Sequence, residues 1–216
     1  MRSPLCERLG IEFPLFAFSH SRDVVAAVSK AGGMGVSMDI VWLGSCDSPE
    51  RLKQELDWID AHVGGKPYGV DLIVPAASEG KGEAFDASAA ARALPRASIE
   101  FAEAILKAHG VETKGLEEAR QGAGGFGRNI TPEGVRATLE EAFRHPIGLI
   151  ANALGVPPPL MIEMGKHNGV AVAALVGAKE HALAQAAAGV DILVAAGAEA
   201  GGHCGEVTTM VLVPEV

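Results

Sequence analysis

The chain of 216 residues is long enough to bury one sizeable core, so a single domain spanning 1–216 is expected. Its formal net charge of −9 argues against a protein that binds nucleic-acid backbones, and no apolar run approaches the ~20 residues of a membrane span. The cysteines Cys6, Cys46 and Cys204 form no CxxC pair, which favours a reducing compartment and hence the cytoplasm.

Short apolar runs alternate with helical patterns along most of the chain. The runs predicted as buried strands are 14–18, 34–38, 68–74, 147–151, 170–176 and 190–196, and the helices predicted between or beside them are 22–31, 49–63, 98–109, 132–143, 158–167 and 178–188. Repeated βα units imply parallel strands with right-handed crossovers. A (β/α)8 barrel typically needs ~250 residues. The sequence therefore predicts an α/β fold of the TIM (β/α)8-barrel type, incomplete at about six βα units, with an open α/β sheet as the alternative.

The alternation breaks after the third predicted strand. Residues 76–130 hold a polar, alanine-rich tract, a helical pattern and a glycine cluster at 122–127, but no convincing buried strand. We interpret 76–130 as an inserted helical lid, with a surface excursion as the alternative for 76–95.

The last predicted strand runs straight into a glycine-rich loop that contains His203. Gly201, Gly202 and Gly205 leave little bulk around the imidazole, and the C-terminal end of a parallel strand is where barrel enzymes keep their chemistry. We therefore expect His203 to be catalytic, as a neutral imidazole that takes a proton from carbon or orients a substrate oxygen. The alternative is a loop histidine bonded to a carbonyl.

Other polar residues lie close to predicted strand ends. Asp71 interrupts an apolar strand, where an unpaired carboxylate is costly, so it either meets a ligand or bonds to backbone. Asn152, just after the fourth run, is a similar case. Glu199 fits better as a structural partner of loop amides than as an acid catalyst. Cys204 is either a thiol nucleophile or a small residue that fills the loop.

Two further site types are not supported. The glycines of 31–35 follow a helix and lack GxGxxG spacing, so no dinucleotide fingerprint is present. The histidines show no ligand spacing, and a cluster of Glu199, His203 and Glu206 would lie on a loop without further ligands, so no metal site is expected.

Residues 198–214, AEAGGHCGEVTTMVLVP, closely resemble the EAGGH-x-G-x-x-x-T-M-x-L-x-P segment of the nitronate monooxygenases, formerly called 2-nitropropane dioxygenases. Residues 11–14, 26–35 and 66–71 are similar to the first three strands of that family, in order. The resemblance covers nearly the whole chain apart from about 76–130. The AGGH segment is shared with flavin-dependent enoyl-acyl carrier protein reductases, so it indicates a superfamily more firmly than a reaction.

This resemblance implies an FMN-dependent barrel with FMN across the C-terminal strand ends. His203 matches the catalytic histidine that accepts the α-proton of a nitroalkane or orients the nitronate. The reaction uses a small oxidisable substrate and O2 and releases a carbonyl compound and nitrite. The residues assigned to FMN are Ala17, Phe18, Asp71, Ala196, Gly197, Gly201, Gly202 and Thr209, and those assigned to substrate are His20 and Asn152.

The chain also departs from the family pattern. Asp71 stands where the family commonly has Asn, Ala196 stands where it commonly has Gln, and the loop after the first strand is shorter. The family's seventh and eighth strands, which carry the glycine-rich turn that grips the FMN phosphate, are not in this sequence. Three functions therefore stay open: an FMN monooxygenase, an enoyl-thioester reductase using NAD(P)H, and a non-catalytic fragment that folds only as an assembly. A homo-oligomer is compatible with all three.

Overall fold

The computed structural model describes residues 3–38, 49–72, 74, 95–113, 132–153, 155–202 and 204–216. Its elements, in chain order, are α1 (Pro4–Leu9), β1 (Phe16–Ser19), α2 (Arg22–Lys30), β2 (Met34–Ser37), α3 (Pro49–His62), β3 (Gly69–Leu72), α4 (Arg96–Ala108), α5 (Pro132–Ala142), β4 (Leu149–Asn152), α6 (Pro159–Asn168), β5 (Ala171–Val176), α7 (Lys179–Ala188), β6 (Ile192–Ala195) and α8 (Thr209–Glu215). In this part of the chain no helix is both long and apolar enough to cross a bilayer.

The strands form one sheet in the order β1-β2-β3-β4-β5-β6, and every pairing is parallel. Each strand thus pairs with the next one in sequence, as in a TIM barrel, whereas a doubly wound open sheet reverses its strand order at a switch point. The incomplete α/β barrel of six strands is confirmed. Within the described residues, β1 and β6 each pair along one edge only.

Each predicted strand is present, and each is shorter than its apolar run. The reason is visible before β5 and β6, where Val170 N–H donates to Gly165 O at 2.9 Å and Val190 N–H donates to Gln185 O at 3.1 Å. These apolar residues complete the ends of α6 and α7 before the ladder begins, beside Gly169 and Gly189 in the left-handed region.

Two helices, α1 and α8, lie outside the predicted set. The signal for α1 is present in the sequence, since Ser3 caps the helix, Pro4 begins it, and Gly10 ends it at φ 68°. α4 confirms the helical pattern near 98–109, and none of its residues is buried. Residues 76–94 and 114–130 of the proposed lid lie outside the described residues, and the lid stays a prediction.

Alternate residues of each strand face two different cores. The outer core lies between the sheet and helices α2, α3, α5 and α6, and β3 contributes Val70 and Leu72 to it. The inner core lies on the opposite face and includes Met34, Val36, Leu149, Ala151, Ala171 and Ala173, with Phe16, Phe18, Ile192 and Val194 packed against it. Every strand therefore has one face that points toward the barrel interior.

Helix α1 closes the end of the sheet at which the strands begin. Its Cys6 and Leu9 join the inner core, together with residues that start β2, β4 and β5. Arg8 Nη2 donates to Asp191 Oδ1, and Asp191 Oδ2 accepts from Val172 N–H at 2.9 Å. At the opposite end of the sheet, the C-terminal end of each strand is followed by a loop.

A second polar network lies at the same N-terminal end. Tyr68 Oη donates to Asp60 Oδ1 at 2.7 Å, and His145 Nδ1 lies 2.6 Å from Asp60 Oδ2. Burial, followed by the bond to Asp60, raises the pKa of Tyr68. Because Tyr68 and His145 precede β3 and β4, this network is structural and remote from the strand ends that carry chemistry in barrels.

Candidate functional site

The candidate site is the edge at which the strands finish. In a parallel sheet all C-terminal strand ends lie at one edge, and barrel enzymes build their sites there. β3 brings Asp71 to this edge, β4 brings Asn152, and β6 leads into the glycine-rich loop. His20 follows β1 directly and is exposed.

Asp71 faces the barrel interior. Its strand neighbours Val70 and Leu72 belong to the outer core, so Gly69 and Asp71 lie on the inner face. A Cβ added to Gly69 would lie 3.1 Å from Leu149 Cβ and 3.2 Å from Val36 Cγ2, which are both inner-core residues.

The carboxyl group of Asp71 is buried without a full set of partners. The residue is 5% exposed, and among the described residues its Oδ1 has no hydrogen-bond partner. Burial raises the pKa of Asp71 to about 7. A buried polar atom without a partner needs an explanation, and a ligand is one.

Small side chains lie beside Asp71 on the same face. Asp71 pairs in register with Ala151 of β4, and Ala151 pairs with Ala173 of β5. Both alanines belong to the inner core and are fully buried. On the two strands next to Asp71, β4 and β5, the inner-face side chains at this level are therefore only methyl groups.

The loop after β6 folds back on itself. Gly205 N–H donates to Ala196 O at 3.0 Å, and Ala198 N–H donates to Val207 O at 2.8 Å. The loop tip therefore carries Gly201 and Gly202, and Gly202 has a φ of 73°. A Cβ added at either glycine would meet no heavy atom of the described chain within 4 Å, so the backbone of the tip is accessible to a ligand.

His203 belongs to this loop but lies outside the described residues, so its catalytic role stays a prediction. Its neighbour Cys204 is exposed, and the Cys204 thiol donates to Ala198 O at 3.7 Å. This contact fits the interpretation of Cys204 as a residue that fills the loop.

Glu199 fixes the base of the loop. Both oxygens of its carboxylate accept from Thr209 N–H, at 2.9 and 3.0 Å, at the start of α8. Bonds from its own backbone amide and from that of Thr209 lower the pKa of Glu199. The prediction that Glu199 is a partner of loop amides is confirmed. Gly197 is needed in the same contact, because a Cβ there would lie 2.2 Å from Thr209 N.

The loop after β6 packs on the loop after β5. A Cβ added to Gly205 would lie 2.2 Å from Gly177 O, so the two backbones touch directly. Beside this contact a cleft of about 810 Å³ opens, lined by residues from the ends of β5 and β6 and from α7 and α8 that include Val176, Lys179, Gln185, Ala196, Cys204 and Leu212. Asp71 is not among its lining residues, so the cleft and the interior position of Asp71 are separate features of one edge.

Asn152 ties two neighbouring loops together. Its Oδ1 accepts from Val74 N–H at 3.0 Å, and its Nδ2 donates to Gly155 O at 3.2 Å. Gln185, which the sequence did not single out, also donates to Gly155 O, at 2.9 Å. These bonds support a positioning role for Asn152, and its contact with substrate stays a prediction. Gln185 carries no recognisable signal, because it lies within an ordinary helical pattern.

The structure brings together only part of the predicted set. Phe18 and Asp71 lie on the inner face, while Ala17 pairs with Gly35 at a position that alternation turns to the other face. Four predicted residues share the loop after β6, namely Ala196, Gly197, Gly201 and Gly202, and a fifth, Thr209, begins α8 directly after that loop. No described contact joins this loop to Asp71.

The architecture is that of a sequential parallel β/α barrel, incomplete at six strands, with the candidate site at the C-terminal strand ends. Solved structures of the same fold include nitroalkane oxidase from Streptomyces ansochromogenes, with a TM-score of 0.68 and 20% identity over 99% of this chain and 57% of that one. FabK from Thermotoga maritima gives a TM-score of 0.64 and 21% identity over 100% of this chain and 52% of that one. At these identities the two structures show the fold that this chain shares.

Residues 2–216 match the sequence model of the nitronate monooxygenase family, and the chain belongs to that family. It is 49% identical to a Mycobacterium tuberculosis protein named as a monooxygenase, Rv1533, over 100% of this chain and 56% of that protein. It is 25% identical to a Staphylococcus haemolyticus protein named as a nitronate monooxygenase, over 98% of this chain and 56% of that protein. The chain thus spans about half the length of the curated relatives it matches, and its family consists of oxidoreductases that use flavin.

Proposed function

We propose that this chain forms the flavin-facing part of an FMN-dependent monooxygenase that oxidises alkyl nitronates or nitroalkanes with O2 to carbonyl compounds and nitrite. The observation that carries the proposal is the buried Asp71 carboxyl, which points into the barrel interior with one oxygen unpartnered. The family assignment supports this type of reaction. The cytoplasmic location and a homo-oligomeric state stay predictions of the sequence.

The described residues fit the ring of a flavin. A flat heteroaromatic ring with polar atoms along its edge needs a smooth apolar surface and a few hydrogen-bonding groups. Ala151 and Ala173 keep the barrel interior beside Asp71 apolar and free of bulk, Asp71 supplies a polar group there, and the glycine tip at 201–202 offers accessible backbone amides. When bound, the flavin supplies the electron acceptor that also reacts with O2.

The chain's own residues provide the proton chemistry and the positioning. His203 accepts the α-proton of a nitroalkane at its neutral imidazole or holds the nitronate oxygens. The Glu199 carboxylate keeps the base of the loop in place through Thr209 N–H. Asn152 holds the loops that follow β3 and β4 at the same edge.

The first experiment is flavin retention followed by turnover. The purified chain is mixed with FMN and passed through gel filtration, and its visible spectrum is recorded. Flavin bands that travel with the protein are expected, and their absence would reject FMN binding by this chain. O2 uptake with a nitronate in the absence of NAD(P)H supports the monooxygenase, whereas NAD(P)H consumption with an enoyl thioester would favour the reductase, which shares the AGGH segment.

The His203→Ala variant tests the catalytic assignment. Loss of a general base typically lowers turnover by about 10²-fold or more, and flavin retention is expected to remain as in the natural chain. His167→Ala is the matched control, because His167 is an exposed histidine in the last turn of α6. Equal turnover in the His203→Ala and His167→Ala variants would remove His203 from the mechanism.

A further inference from the structure

The environment of Asp71 contains no described group that would stabilise a negative charge. The inner-face positions of the neighbouring strands are Met34 and Val36 on β2 and Leu149 and Ala151 on β4, and none of these side chains titrates. His20, after β1, and Glu199, in the loop after β6, are titratable groups at the same edge, but burial alone accounts for the shifted pKa of Asp71. The sequence assigns His203, outside the described residues, to that edge as well. An ionised carboxylate in such surroundings is costly unless it is paired.

A neutral carboxylic acid differs from a carboxylate in what it offers a ligand. The acid has one O–H donor, whereas the carboxylate only accepts. The amide of an asparagine also offers a donor without a charge. Protonated Asp71 is therefore the closer chemical equivalent of Asn.

We propose that Asp71 is a proton-gated contact for the flavin ring: as a neutral acid it donates a hydrogen bond to a ring acceptor, and as a carboxylate it opposes binding. The inference rests on the proposed function. The geometry that supports it is the inward-facing, buried side chain with an unpartnered oxygen next to Ala151 and Ala173. Above the pKa of Asp71 in the free protein, binding takes up one proton from solvent.

The burial that raises the pKa of Asp71 to about 7 places this gate within the physiological range. Proton linkage then sets the size of the effect. The dissociation constant is expected to rise by about tenfold for each pH unit above the pKa of the free protein, until the pKa of the complex is reached.

The experiment measures the dissociation constants of FMN and of riboflavin by fluorescence quenching between about pH 5.5 and 8.5. Riboflavin lacks the phosphate, whose second ionisation near pH 6 would otherwise contribute its own pH dependence. Asp71→Asn is the matched variant, since it keeps the shape and a donor but cannot ionise. The quantity compared is the ratio of the dissociation constants of the natural chain and the variant at each pH.

The expected result is a ratio that is constant at low pH and rises above about pH 7, for both ligands. Parallel pH profiles for the two proteins, or tighter binding by the natural chain at high pH, would overturn the gate and leave flavin binding standing. Absence of binding by both proteins at every pH would overturn the proposed function and this inference with it.

Discussion

The stability of the Asp71→Asn variant provides a test that needs no ligand. In the folded chain the pKa of Asp71 is about 7, against an ordinary value of 3.8. Below about pH 4 both folded and unfolded chains hold the proton, so the carboxyl contributes no pH dependence. Between these values the unfolded chain releases the proton while the folded chain retains it, so the free energy of unfolding falls as pH rises.

The difference between the two pKa values corresponds to a loss of about 4 kcal/mol, complete above about pH 7, because one pKa unit is worth about 1.4 kcal/mol. Asn cannot ionise, and the burial cost of its amide is the same at every pH. Relative to the natural chain, the variant should therefore gain up to about 4 kcal/mol of unfolding free energy between pH 4 and pH 8.

Urea denaturation at intervals of half a pH unit measures this gain. Asp57→Asn is the control, because Asp57 is an exposed residue of α3 and surface substitutions usually change stability by less than about 0.5 kcal/mol. A constant difference between Asp71→Asn and the natural chain across the whole range would refute the argument, since it would mean that Asp71 ionises alike in both states.

Two predictions concern the loop after β6. Gly205→Ala forces a methyl group to within 2.2 Å of Gly177 O. Overpacking of this kind should lower the free energy of unfolding, measured by urea denaturation, by about 1–3 kcal/mol. Gly201→Ala is the control: its methyl group meets nothing within 4 Å, so this variant should unfold like the natural chain. Equal losses in both variants would contradict the close contact of the two loops. Glu199→Gln removes the charge that accepts from Thr209 N–H, so the Thr209 amide should exchange with deuterium faster. In the natural chain the protection of this amide, measured relative to its intrinsic exchange rate at each pH, should fall in the same way as pH falls through the lowered pKa of Glu199. A protection that is the same in the variant and at both ends of the pH range would disprove the role of Glu199 at the start of α8.

The strand order was predictable from sequence because each βα unit repeats the same local pattern. Apolar runs such as 147–151 have the length that is typical of strands buried on both faces, and the helix predicted over 178–188 ends before Gly189. The exact strand ends were less predictable. Val170 is apolar and buried, yet its N–H completes the preceding helix, and only the hydrogen-bond pattern distinguishes these two roles.

The candidate site was predictable where one residue contradicts its surroundings. Asp71 stood out as a carboxyl in an apolar strand, and the structure places it on the inner face. Gln185 shows the limit of this approach. A glutamine in a helix is unremarkable, and its burial and its bond to Gly155 O arise from the packing of α7 against a loop 30 residues away.

The ion pair between Arg8 and Asp191 joins parts of the chain that are 183 residues apart in sequence. A ribosome completes α1 long before the start of β6 exists, so the helix is made well before this partner is available. Closing so long a loop carries a large entropic cost, and contacts of this separation slow folding. Until β6 is synthesised, the apolar face of α1 can pack only against the strands that precede β6. The docking of α1 would thus show that β6, the strand that leads to the glycine-rich loop, is in place.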